Sequence, residues 1–383
     1  MPDTPLTSIP VTTELLIGVA ELEPTDRGLQ PHRLPTFARR QNSDPQMAMV
    51  EAQPAGARLA FRTAATRTDL VVVRTRPMYG GVATRPDGIY DLVIDGELRG
   101  QVPSSGGDRL ILDPATGTSH SEPGPEATIS FADLPGHDKL VEIWLPHNEL
   151  TRVVDLLADA PVHPVPRNLP RWVHHGSSVS HGSNASHPTG TWPVIAAKRA
   201  DVDLHNLGFG GGALLDPFVA RTIAATEADL ISVKLGINLV NHDLLRRRAL
   251  GPAVHGFLDI IREAHPDVPL VVVSSIYCPI QESTPGPLAP DFQDGVLKFV
   301  ATGDPAGVRE GQLTLEVVRE ELAGLVELRA QEDPHLSYVD GTRLLGPEDV
   351  ARYPYPDNLH PSPEAHRVIG DRFGEILTGI VRK

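Results

Sequence analysis

The chain has 383 residues, a formal net charge of −15, 40% hydrophobic residues and 22% charged ones. That balance supplies enough apolar side chains for packed cores and excludes disorder throughout, and the length suits two domains at roughly 100–200 residues each. The acidic surplus argues against nucleic acid or an anionic membrane surface as partner, since both are met by basic patches.

Cys278 is the single cysteine, so no intrachain disulfide forms and nothing marks an oxidising compartment. The first residues, MPDTPLTSIPVTTELLIGVAELEP, lack a basic stretch followed by an apolar core. No run approaches the roughly 20 apolar residues that span a bilayer. The expectation is a cytoplasmic protein, although a mature form that has lost a signal would read the same.

From about Ala57 to Asp159 the chain reads as short β-like runs: Arg58–Thr63, Asp69–Arg74, Ile89–Ile94, Arg109–Leu112, Ala127–Phe131 and Leu140–Leu145. The steps Asp87-Gly88, Asp95-Gly96 and Gly106-Gly107 punctuate them as hairpins require. Several short strands at near-regular spacing predict a β-sandwich or jelly roll. Pro161 to Pro170 then carries four prolines, which can continue neither a helix nor a central strand, so an extended connection and a domain boundary are expected there.

Beyond it the rhythm becomes strand, loop, helix. Strands are predicted at Arg171–Val173, Asp201–Leu207, Leu230–Lys234, Val268–Ser275 and Leu336–Val339, and helices at Asp216–Thr226, Asn241–Ala264, Leu313–Gln331 and Pro363–Leu377. This alternation predicts a parallel sheet covered on both faces, with ligand sites at the carboxyl ends of its strands. Tyr277–Gln312 is long, rich in Pro and Gly and weakly patterned, which makes it a candidate lid.

Four short runs fall at those carboxyl ends. His174-His-Gly-Ser-Ser-Val-Ser-His-Gly182 follows the first strand, where a serine hydroxyl and glycine-freed N–H groups can stand at the top of the sheet. Asn206-Leu-Gly-Phe-Gly-Gly-Gly212 offers backbone N–H groups to an anion, yet its glycines lack the spacing of a dinucleotide fingerprint. Asn238, at the end of Leu230–Lys234, can aim an amide at developing negative charge or cap a helix. Asp357 and His360 stand three apart before the last helix, where Ser362 and Pro363 suit the N-cap and first turn. Each run taken alone also fits an ordinary turn; what separates them from turns is that all four occur in one order on successive sheet elements.

In that order they resemble the SGNH (GDSL-like) hydrolase family, over roughly Arg171 to Arg382. The family's Gly-Asp-Ser-x-x-x-Gly block looks like Gly176-Ser177-Ser178-Val-Ser-His-Gly182. Its second block matches Asn206-x-Gly208-x-Gly-Gly211, its Gly-x-Asn matches Gly236-Ile237-Asn238, and its Asp-x-x-His matches Asp357–His360. The resemblance implies Ser178 as nucleophile, Asp357 and His360 as the rest of a triad, and an oxyanion hole from the N–H groups of Ser178 and Gly211 and the Asn238 side chain. It implies an α/β fold: an SGNH-type parallel sheet flanked by helices, a flavodoxin-like three-layer sandwich, in residues 171–383. Residues 1–160 are expected to form a jelly-roll-like accessory domain, with 161–170 as the proline-rich linker. Two departures are visible. Ser177 stands where the family usually has Asp, so the bonding of that loop must differ, and Leu239 replaces the common acidic residue after the Asn.

The spacing of His174, His175, His181 and His187 fits no zinc signature, and solvated or mouth-shaping histidines are expected instead. Trp144, Trp172 and Trp192 are expected in cores, Cys278 as a small core residue, and Arg246-Arg-Arg248 on a solvated face. The resemblance implies no cofactor and no metal. It implies hydrolysis of a small-molecule or glycan ester, acetyl or short-chain, through an acyl-enzyme. An acyltransferase with the same triad and a non-catalytic carbohydrate-binding protein are the rival readings. Oligomeric state has no signature in the sequence.

Overall fold

The computed structural model describes residues 5–80, 86–113, 116, 118–293 and 296–382. They group into two compact units. One holds residues up to Pro35 with Met49–Asn168 and Ser186–Thr189; the other holds Thr36–Ala48, Leu169–Ala185 and Gly190 onward.

The first unit is a jelly-roll-like pair of sheets. One sheet runs in the order Ser119–Glu122, Asp108–Leu112, Thr68–Tyr79, Leu150–Ala158, Gly28–His32, Glu21–Thr25, with Thr7–Ile9 and Ala127–Phe131 paired alongside. The other runs Val162–Pro164, Arg58–Thr63, Lys139–Trp144, Ile89–Ile94, Glu97–Pro103, with Leu16–Ile17 alongside. Alternate residues of both sheets enter one core, with Leu59, Phe61, Leu70, Val72, Tyr90, Ile129, Val141 and Ile143 at its centre. At the predicted Asp95-Gly96 turn both residues have left-handed φ, 47° and 83°, as a two-residue hairpin needs. Val162–Pro164, from the proline-rich stretch, pairs antiparallel with Arg58–Thr63 and ends that sheet, the edge position at which proline is tolerated.

The second unit is an α/β domain around five parallel strands in the order Asp203–Gly208, Arg171–Gly176, Leu230–Lys234, Leu270–Val273, Leu336–Val339. By sequence this is 2-1-3-4-5, so the connections leave the first strand on one side and the third on the other. That puts the topological switch point, where such sheets bind ligands, between these two strands at their carboxyl ends. The first strand shows how the faces are filled. Trp172 and His174 point to one side, where helices Trp192–Ala200 and Pro363–Val381 contribute Trp192 and Phe373. His175 points to the other and stacks on Phe257 of helix Arg247–Ala264, with centroids 5.8 Å apart. Among the described residues no helix is long and apolar enough to cross a membrane.

Two predicted elements differ in detail. The first strand extends to Gly176, and the stretch expected as one helix over Asn241–Ala264 is a short helix Ile237–Asn241 followed by Arg247–Ala264. The candidate lid holds a hairpin, Leu288–Gln293 with Val296–Ala301, and a 3-10 turn Pro305–Glu310; residues 294 and 295 lie outside the described set.

Candidate active site

The turn bearing Ser178 begins where the first strand stops. Ser178–His181 is a single helical turn that ends at Gly182 with φ 113°, and the N–H groups of Ser180 and His181 donate to the Ser177 carbonyl. Its position depends on Gly208 at the end of the second strand. A Cβ there would lie 2.5 Å from the Ser180 carbonyl carbon and 2.6 Å from the His181 nitrogen, so the turn packs on bare backbone. Side chains complete the anchoring. Asn206 donates from Nδ2 to the Ser180 carbonyl (2.9 Å) and accepts the Gly208 N–H at Oδ1 (2.9 Å). His174 bonds Ser180 Oγ (2.8 Å) and Ser232 Oγ (2.7 Å), and Trp172 Nε1 donates to Ser232 as well. The Ser178 turn is thereby tied to three strands.

The Asp357–His360 loop comes from the other end of the chain. Asp357 Oδ1 accepts the backbone N–H groups of Leu359 (3.0 Å) and His360 (2.7 Å), which curls the loop. Its Oδ2 lies 2.7 Å from His360 Nδ1. The helix that follows is fixed at once, because Ser362 Oγ caps Ala365 N–H and Pro363 takes the first turn. His360 Nε2 lies 3.0 Å from Ser178 Oγ. A spacing of three residues thus lets one carboxylate shape the loop and hold the ring.

These contacts set the proton positions. Burial pushes the Asp357 carboxyl up, but the hydrogen bond and charge of His360 and the two backbone N–H groups outweigh it and hold the carboxyl down at about 2. An ionised carboxylate only accepts, so Nδ1 carries the ring proton, and Nε2 is left as an acceptor facing the serine hydroxyl. Ser178 is 9% exposed and His360 7%, so the relay is nearly dry yet reachable.

Asn238 follows the third strand. Its Oδ1 accepts the Ala213 N–H (3.1 Å), just beyond the glycine run, so its amide orientation is fixed with both Nδ2 hydrogens left to donate. Gly211 has φ 80°. The Ser178 N–H, first of its helical turn, lies outside the intrahelical ladder. Of the three donors expected from the sequence, Ser178 and Asn238 thus sit in short helices and Gly211 in a loop, each just beyond the carboxyl end of a strand of the sheet.

Other neighbours carry no sequence signal. Phe299 of the hairpin stands edge-on to His360, with centroids 5.9 Å apart at 83°, and its N–H donates to the Asp357 carbonyl. Asn184 donates from Nδ2 to Asp357 Oδ2 (3.3 Å). Cys278 is buried, with Sγ 3.7 Å from the Asn358 carbonyl, and burial first, then Glu282, pushes its thiol up to about 12. It is a poor thiolate and a structural neighbour of the loop.

The histidines depart from expectation. His174 and His175 are fully buried strand residues rather than solvated ones, because the strand runs through them and sends their rings into opposite packed faces. Burial lowers the His174 pKa well below 6.5. His181 is buried in the Ser178 turn, and His187 bonds Asp91 Oδ2 (2.7 Å) within the first unit. Among the described residues no group of three or more His, Cys, Asp or Glu is placed to hold a metal ion. Ser177, where the family usually has Asp, is buried with no partner for its hydroxyl among the described residues, and backbone bonds hold that corner instead.

A 2-1-3-4-5 parallel sheet with a Ser–His–Asp relay at its switch point, and a β-sandwich unit from the N-terminal half, is the arrangement of a two-domain SGNH hydrolase or acyltransferase. Residues 171–283 match the GDSL-like lipase/acylhydrolase family, and the chain carries a domain of that family. It is similar over 98% of each chain to the salicylyl-acyltransferase SsfX3 from a tetracycline biosynthetic pathway, at 26% identity and a TM-score of 0.80. It is similar in fold to a protein provisionally classed as a GDSL-like lipase from Bacteroides ovatus ATCC 8483. There the identity is 18% and the TM-score 0.70, over 99% of this chain and 98% of that one. A family two carbohydrate esterase from Cellvibrio japonicus shares the fold at 14% identity and a TM-score of 0.58, over 99% and 98%. No curated protein is a significant sequence match.

Proposed function

We propose that this protein is a serine esterase that hydrolyses a small acyl ester, acetyl or short-chain, with Ser178 as nucleophile. The observation that carries the reading is the relay itself, with a basic Nε2 of His360 at 3.0 Å from Ser178 Oγ and Nδ1 anchored on ionised Asp357. As Oγ attacks the ester carbonyl, its proton passes to Nε2 and the carbonyl oxygen becomes an oxyanion. The tetrahedral adduct collapses, the leaving alcohol takes the proton from His360, and an acyl-enzyme remains. Water repeats the sequence and releases the acid. An aryl phosphonate should therefore label the protein once, on the peptide holding Ser178; labelling elsewhere sinks the reading.

The oxyanion donors are the N–H groups of Ser178 and Gly211 and Asn238 Nδ2. Asn238→Ala is expected to lower kcat by on the order of 10²–10³ while KM moves little, because the oxyanion exists in the transition state and not in bound ester. A parental kcat in that variant removes Asn238 from the hole.

The second reading is acyl transfer to an alcohol or amine. The likeness to a salicylyl-acyltransferase over 98% of both chains favours it, whereas the likeness to carbohydrate esterases accords with a glycan or other hydroxylated alcohol in hydrolysis. The two part company at the acyl-enzyme. Turnover of an activated aryl ester should yield free acid alone under hydrolysis, even with millimolar acceptor alcohol; an acylated acceptor as main product establishes transfer.

A further inference from the structure

The nucleophile and the acid–base pair arrive from distant segments, separated by 182 positions in the case of Ser178 and His360. A single hydrogen bond between hydroxyl and imidazole contributes on the order of 1 kcal/mol net, so it does not set that register alone.

Two further contacts, immediately after the Ser178 turn, join the same two segments. Asn184 donates from Nδ2 to Asp357 Oδ2 (3.3 Å) and reaches the His360 carbonyl (3.5 Å). Its φ of 65° lies in the left-handed region, which asparagine tolerates better than most residues. One residue earlier, the Ser183 carbonyl accepts from Nε2 of His366 (2.9 Å), on the helix that begins just after His360. His366 is fully buried, and its Nδ1 accepts the Trp192 N–H (3.3 Å). A carbonyl only accepts and an N–H only donates, so His366 is confined to the tautomer with its proton on Nε2. Burial, the largest influence, drops its pKa to about 4 against the Ser183 bond, so the ring stays neutral at working pH.

We propose that Asn184 and His366 are positioning residues: a two-point clasp that fixes the register between the Ser178 turn and the Asp357–His360 loop, with Asn184 also restraining the triad carboxylate. The inference rests on the reading of Ser178 as nucleophile. Asn184 makes its bond to the oxygen that also receives His360 Nδ1, so it aligns that carboxylate without competing for the Oδ1 used by the loop backbone.

The test uses the full chain and an aryl acetate. Asn184→Gly keeps the left-handed backbone at no strain and deletes the amide. It is expected to lower kcat about tenfold with KM changed less than about twofold, because misalignment is felt in the transition state. Asn184→Asp sets a second carboxylate beside the ring's partner. The added negative charge favours the imidazolium, so the acidic limb of kcat/KM is expected to move to higher pH. His366→Leu should resemble Asn184→Gly, and His366→Gln, whose amide can still donate to Ser183, should recover most of the loss. A purely structural role predicts a lower Tm in these variants with the acidic limb and the ratio of kcat to KM in place. That result, or a parental kcat in Asn184→Gly, overturns the clasp. Ser178→Ala is run in parallel: if it keeps activity the nucleophile reading fails, whereas an inert Ser178→Ala beside parental Asn184 variants removes the clasp alone.

Discussion

Ser178→Ala is expected to reduce kcat on an activated ester by about 10⁴–10⁶, down to what binding and the remaining oxyanion donors supply over water. The size follows from what is deleted. Without Oγ no acyl-enzyme forms, and His360 keeps its bond to Asp357 but has no hydroxyl to deprotonate. The fold should be indifferent, since the turn around residue 178 is held by the Ser177 carbonyl, by Asn206 and by His174 through Ser180, none of which involves the Ser178 side chain. Unfolding in urea should therefore give a midpoint close to the parent's. Steady-state kinetics alongside the melt separates the outcomes: a loss of less than tenfold with an intact fold places the nucleophile elsewhere.

The four motif runs are legible in the sequence because each sits where a periodic pattern breaks. Parallel strands buried on both faces read as unbroken apolar runs, such as Leu270–Val273, and the residues just past such strands stand out as polar or glycine-rich. Asn184, Phe299 and His366 give no such cue. Their roles depend on contacts with distant segments, and locally they read as a turn residue, a strand residue and one more histidine on an amphipathic helix. The run Gly182-Ser183-Asn184 hints at a special turn, but it does not say what the amide meets. In the first unit Leu150–Ala158 is missing from the predicted strands because a register shift between Val153 and Asp155 breaks its alternation. Glu97–Pro103 is missing because it ends its sheet, with mostly exposed side chains. The histidines of the first strand mislead for the opposite reason. Polar identity suggests a solvated loop, whereas His174 and His175 are bonded inside, by Ser232 and Ser180 on one face and by the Leu207 carbonyl on the other.

Asp357→Asn should cost about 10⁴ in kcat while leaving the residue's volume nearly unchanged. The carboxylate accepts at both oxygens in the folded protein: Oδ1 from two backbone N–H groups and Oδ2 from the His360 ring. An amide can keep the backbone bonds only by turning its oxygen to them, which presents NH₂ to Nδ1. The ring must then accept at Nδ1 and carry its proton on Nε2, pointed at Ser178, where a base is needed. The same substitution has a stability signature with a definite sign. Asp357 is held at about 2 against an ordinary 3.8, so its ionised form stabilises the fold at every pH above about 4, and that contribution is lost as pH falls from about 4 through 2. Its size is roughly 2 kcal/mol, at about 1.4 kcal/mol per pKa unit. The amide of the variant cannot titrate, so the parent's advantage over it in urea unfolding should be full at pH 6 and shrink by about that amount toward pH 2. An advantage that stays constant across this range means that the carboxylate is not held low by its partners, and with it goes the tautomer argument that makes Nε2 the base.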